Sequence, residues 1–122
     1  MFRTLIVLSA LALSAPVLAH TKLVSATPAA NATVAKTTKI TLVFNEKVTS
    51  QFAGATVTMT GMPGMASHAP MKMAATSAMA KDGRTMTITL ARPLAAGTYK
   101  VDWRAAGSDM HRKNGSYSFT VK

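Results

Sequence analysis

Cysteine is absent from the 122 residues, so neither a disulfide nor a thiolate metal site is open to this chain. Acids are nearly as scarce. Glu46, Asp82, Asp102 and Asp109 are the four, which leaves little room for paired-carboxylate acid–base chemistry. One Trp, two Tyr and four Phe make no flat aromatic surface for a polymeric substrate. There is no phosphate-cradling glycine loop and no nucleophilic serine elbow. The apolar run from Leu5 to Ala15 is too short to span a bilayer.

That run fits a different purpose. Met1-Phe2-Arg3 supplies a positive start, the apolar stretch follows, Pro16 breaks it, and Val17-Leu18-Ala19 places small residues ahead of a cut before His20. Residues 1–19 are therefore expected to be a secretory signal peptide, and residues 20–122 a single domain with no integral membrane segment, bound for the periplasm. Removing Arg3 leaves thirteen basic residues against four acids, a mature net charge of +9. The basic residues are scattered, with no run longer than Arg112-Lys113, so nucleic acid is not expected as a partner.

Within the expected domain, apolar residues recur with a period of two. Ile40, Leu42 and Phe44 form one such set, followed by Val57 and Met59, by Met86, Ile88 and Leu90, by Tyr99, Val101 and Trp103, and by Tyr117, Phe119 and Val121. Threonine fills many alternate places, as half-buried strands favour. Turn signals separate the runs, among them Asn45-Glu46, Asp82-Gly83, Ala96-Gly97 and Asn114-Gly115. The pattern predicts an all-β fold of about seven strands, near 21–26, 38–45, 55–60, 69–78, 84–90, 97–105 and 115–121, as an antiparallel Greek-key sandwich or barrel. The Met-, Ala-, Pro- and Gly-rich stretch from Gly61 to Met79 reads as more loop than strand. Trp103 is expected to anchor the core. Asn31 and Asn114 match a glycosylation pattern but read more simply as turns.

Two groups of metal-binding side chains stand out. An amino-terminal His20 offers its α-amine and its imidazole to one ion, Asp109 an oxygen and His111 a third nitrogen, a set suited to the tetragonal preference of Cu(II). An extended Asp109-Met110-His111 places residues i and i+2 on one face, so carboxylate and imidazole converge while Met110 points away. The plainer reading makes His111 an exposed loop histidine and Asp109 a turn residue capping its own backbone.

The second group is Met59, Met62, Met65, His68 and Met71. Thioethers are soft neutral ligands for Cu(I), and they persist where thiols would oxidise. Methionine as a flexible core filler is the competing account. It weighs most on Met59 and Met86, which lie on strand faces, and least on Met62, Met65 and Met71 in the Gly- and Pro-rich loop. Met73 and Met79 fit either role.

With these motifs in place the chain resembles the CopC family of periplasmic copper-binding, copper-resistance proteins. The resemblance runs through His20-x-Lys22-Leu23, Phe52-x-Gly54-Ala55, Met59-x-x-Met62-Pro63-Gly64-Met65, Leu94-x-Ala96-Gly97-Thr98-Tyr99-Lys100-Val101-Asp102-Trp103-Arg104, Ser108-Asp109-x-His111 and Gly115-Ser116-x-x-Phe119-x-Val121. One departure from the family's spacing is that two residues, Ala66 and Ser67, separate Met65 from His68. The resemblance implies a cupredoxin-like, immunoglobulin-like sandwich with two copper sites at opposite ends. It implies Cu(II) at His20, Asp109 and His111, and Cu(I) at Met59, Met62, Met65, Met71 and His68. An inner-membrane copper transporter and a multicopper oxidase are the partners it implies. The function expected is non-enzymatic: a copper chaperone serving homeostasis and resistance. Two alternatives remain, an N-terminal-histidine copper redox enzyme and a methionine-rich oxidant scavenger.

Overall fold

The computed structural model describes residues 21–65 and 69–122, so the expected signal peptide, His20 and His68 lie outside the described residues. Nine strands are present among them: β1 (Leu23–Thr27), β2 (Thr33–Val34), β3 (Lys39–Phe44), β4 (Gly54–Gly61), β5 (Met71–Lys72), β6 (Ala75–Met79), β7 (Thr85–Leu90), β8 (Gly97–Ala106) and β9 (Arg112–Val121). The helical content among the described residues is a single 3-10 turn at Ser50–Phe52. No helix among the described residues is long and apolar enough to cross a membrane.

The strands form two sheets, ordered β1-β3-β7-β6 and β2-β9-β8-β4-β5. The fold is thus a sandwich and not a closed barrel. Its pairing is antiparallel except where the short β2 runs parallel to β9. Alternation explains the core directly: Ile40, Leu42 and Phe44 from β3 and Met86, Ile88 and Leu90 from β7 meet Val57, Met59, Tyr99, Val101, Phe119 and Val121 from the other sheet. Tyr99 stacks on Phe119 with ring centroids 5.8 Å apart, and its hydroxyl donates to the Ala95 carbonyl at 2.6 Å. Half-buried Trp103 meets Phe44 edge-on at 5.3 Å and so ties the two sheets together.

Several expectations need correction. The strand expected at 69–78 is two strands in different sheets, β5 beside β4 and β6 beside β7. The periodicity carries across Met73 and Ala74 unbroken, and nothing local marks the switch. Asn114-Gly115, expected as a turn, lies inside β9, which begins at Arg112. Gly115 is there for space: a Cβ would come within 2.6 Å of the Trp103 ring on the paired strand. Asn31 does occupy a turn, with φ of 64°.

Tyr117 is the one buried polar side chain among the described residues whose N or O atom has no partner there. Burial pushes its phenol from 10.0 up to about 12. Replacing a buried, unpaired hydroxyl with hydrogen removes its desolvation cost, so Tyr117→Phe is expected to stabilise the domain by about 1 kcal/mol. Thermal unfolding should show a Tm higher by roughly 4–8 °C; an unchanged or lower value overturns this account. Because the folded phenol holds its proton more tightly than the unfolded one, the domain loses stability as pH rises from 10 towards 12.

Candidate metal centre

Asp109 and His111 stand in the loop between β8 and β9. The segment is not extended, as the alternation argument assumed. Met110 has φ of 64°, and its N–H donates to the Gly107 carbonyl at 3.0 Å, closing a tight turn. Carboxylate and imidazole converge all the same, by an Asx turn: the His111 N–H donates to Asp109 Oδ1 at 3.0 Å, and His111 Nδ1 lies 3.0 Å from Asp109 Oδ2. The backbone N–H of His111, reinforced by its ring, holds the Asp109 carboxyl below its ordinary range. An ionised oxygen and an imidazole nitrogen therefore sit side by side on an exposed loop.

The described chain begins beside that loop. Thr21 is buried, and its hydroxyl donates to Glu46 Oε1 at 2.7 Å. The Glu46 carboxylate in turn rests against the backbone of Gly107, at the base of the Asp109 loop. Next along, the Lys22 N–H donates to Asn45 Oδ1 at 2.8 Å, and the Asn45 N–H returns a bond to the Lys22 carbonyl at 3.0 Å. Asn45 and Glu46 thus clamp the residues that directly follow His20. In the sequence alone, Asn45-Glu46 reads only as a turn. The one hint of more was that Glu46 is an acid in a chain that has four.

Among the described residues no three His, Asp or Glu side chains assemble around a common point. The Asp109–His111 pair therefore needs a donor from outside them to complete a metal site.

The methionines gather at the other end of the same sheet. Met62 and Met65 exchange both backbone hydrogen bonds at 2.9 Å across Pro63-Gly64. Proline presets the first corner and Gly64, at φ of 78°, takes the second, which is a type II turn. The turn leaves the two thioethers neighbouring and exposed, at 38% and 50%. Met71 is paired with Met59 across β5 and β4, exposed at 49% where Met59 is buried in the core. Met59, Met71 and Met73 line one side of a cavity of about 540 Å³ whose other walls include Leu90, Leu94 and Tyr99. This places Met73 with the candidate set. Met79 and Met86 pair with each other on β6 and β7, and Met86 is pure core.

Strand β8 separates the two groups. Thr98 at its start pairs with Gly61 next to Met62, and Ala106 at its end leads into the Asp109 loop. Ten residues at a strand's rise per residue put the hard and soft donors roughly 30 Å apart.

A family model described as CopC domain matches residues 23–122. The chain is 51% identical over 105 residues to a copper resistance protein C of Escherichia coli, covering 86% of this chain and 83% of that one. It is 53% identical over 104 residues to a copper resistance protein C of Pseudomonas syringae pv. tomato, covering 85% and 82%. The crystal structure of PcoC, a methionine-rich copper resistance protein from Escherichia coli, superposes with a TM-score of 0.78 at 49% identity, over 85% of this chain and all of that one. By sequence and by fold alike, the chain belongs to the CopC family.

Proposed function

We propose that the protein is a non-catalytic periplasmic copper carrier that takes Cu(II) at one end of the sandwich and Cu(I) at the other. The observation that carries this reading is the Asp109–His111 pair at 3.0 Å, in a loop whose base touches the Glu46 clamp on Thr21. One residue, His20, separates that clamp from the proposed mature amino terminus, and a residue spans about 3.8 Å. Amine, imidazole, carboxylate and second imidazole make a nitrogen–oxygen set for Cu(II). At the far end the exposed thioethers of Met62, Met65 and Met71, with buried Met59 paired to Met71 and His68 lying between Met65 and Met71 in sequence, make a soft neutral set for Cu(I). Such ligands exchange one at a time with a partner's donors, so copper passes on without being released. A membrane copper transporter and a multicopper oxidase are the partners this role calls for.

The Cu(II) set predicts its own pH dependence. Asp109 stays ionised into acid because its pKa is depressed. Imidazole and amine must both give up protons to bind, so Cu(II) affinity weakens steadily as pH falls across this range. Visible absorption of the Cu(II)-loaded protein from pH 8 down to pH 4 checks this.

A copper-loading experiment tests the whole reading. Titration with Cu(II) in air, and with Cu(I) under a competing chelator without oxygen, should each saturate at one ion. Both sites should fill in the same molecule. Adding ascorbate to the Cu(II)-loaded protein should reduce the copper stoichiometrically, without sustained oxygen consumption. Sustained turnover overturns the carrier in favour of a redox enzyme, and failure to saturate with either ion favours a methionine scavenger.

A further inference from the structure

Some basic residues that are scattered in the sequence come together on the fold. Arg104 pairs with Asn114 and Ala106 with Arg112, so the two arginines lie on one face of adjacent strands as diagonal neighbours, roughly 7–8 Å apart. Each guanidinium is held in place. Arg112 lies over the Phe52 ring with Cζ 4.8 Å from its centroid, and Arg104 lies across the backbone of Gly54, where a side chain would displace it. Between them is a cleft of about 150 Å³ lined by Gln51, Phe52, Arg104, Ala105 and Arg112. The ion pairs among the described residues are Lys100–Asp102 and Asp109–His111, so neither arginine has a carboxylate within 4.0 Å there.

We propose that this cleft is a docking point for a carboxylate side chain of an acidic protein partner, seated next to the Asp109–His111 loop. Planar guanidinium groups, one stacked on a ring and one lying against backbone, suit a carboxylate in two-point contact. The cleft's size suits one side chain and not a polyanion. The surrounding strands carry Thr56, Thr58, Ser116 and Ser118 on this face, and Met110 in the adjacent loop is a lone exposed apolar side chain, too little to enter a membrane. Lys72 and Lys100 share that face against Asp102 as its one acid, so an acidic surface is complementary to all of it. Because Arg112 directly follows His111, a partner seated here lies against the proposed Cu(II) end. Steering by this patch acts mainly on the rate of encounter.

The test needs no copper, so its failure leaves the carrier reading intact. A blocked peptide of alternating glutamate and glycine, titrated into the isotopically labelled protein at low salt, should shift the amide signals of Phe52, Arg104, Ala105 and Arg112 first. In Arg104→Gln/Arg112→Gln the apparent affinity should fall about tenfold or more. Arg112→Lys, which keeps the charge and loses the planar fork, should weaken it by less. Lys36→Gln/Lys39→Gln removes the same charge from elsewhere on the protein and should change nothing; the dispersion of each variant's spectrum confirms that it is folded. Shifts spread over all basic residues, or equal loss in the lysine variant, would reduce the effect to net charge and overturn the proposal. Inorganic phosphate binding as tightly at the same residues, or anionic lipid vesicles doing so, would overturn it in favour of a small-anion or membrane site.

Discussion

One residue added ahead of His20, the proposed amino terminus, is expected to abolish tight Cu(II) binding and to leave Cu(I) binding unchanged. The extra residue keeps the imidazole but converts the α-amine into an amide, and moves the free amine out of the chelate. His20→Ala makes the complementary cut, keeping the amine and removing the ring. Each change leaves Asp109 and His111 with too few strong donors, since no third His, Asp or Glu joins them among the described residues. A loss on the order of a hundredfold in Cu(II) affinity, about 2.7 kcal/mol, is expected for either variant. Competition against a nitrogen–oxygen chelator measures it. The Thr21–Glu46 and Lys22–Asn45 bonds are backbone and side-chain contacts made after His20, so the variants should retain the wild-type Tm. Undiminished Cu(II) affinity in both would show that the amino terminus takes no part.

The roles of these residues were unequally legible in the sequence. Period two in Ile40-x-Leu42-x-Phe44 and Met86-x-Ile88-x-Leu90 located β3 and β7 because one face of each strand is buried without exception. The convergence of Asp109 with His111 was foreseen, but through an extended segment. The left-handed conformation at Met110 escaped notice because nothing in Met's side chain favours it; the Asp109 carboxylate bonding to the His111 N–H makes the turn. Glu46 was invisible as a clamp because its partners, Thr21 and Gly107, are far away in sequence and are brought to it only when β1 pairs with β3 and β8 delivers its loop. The two-residue β2 has no period to detect. Arg104 and Arg112 likewise become neighbours only through the register of β8 and β9.

Substituting leucine at Met62, Met65 and Met71 together abolishes tight Cu(I) binding while Cu(II) binding and folding are retained. Leucine keeps the size and hydrophobicity of each side chain and removes the sulfur, and all three positions are exposed, so little packing is at stake. Thioethers are individually weak donors whose strength comes from being held near one another. Here the Met62–Met65 turn and the pairing of Met71 with Met59 do the holding. Losing three of them should weaken Cu(I) by on the order of a hundredfold or more, about 2.7 kcal/mol, measured by competition with a Cu(I) chelator without oxygen. Met86→Leu is the control, a buried methionine paired with Met79 and away from the cluster, and should leave Cu(I) affinity unchanged. Met59→Leu separates the two accounts of that residue. It lies in the core and also lines the cavity with Met71 and Met73, so a lowered Cu(I) affinity at constant Tm makes it a ligand, whereas unchanged affinity makes it packing alone. A triple variant that binds Cu(I) as tightly as the wild type would remove the methionine end from the proposed function altogether.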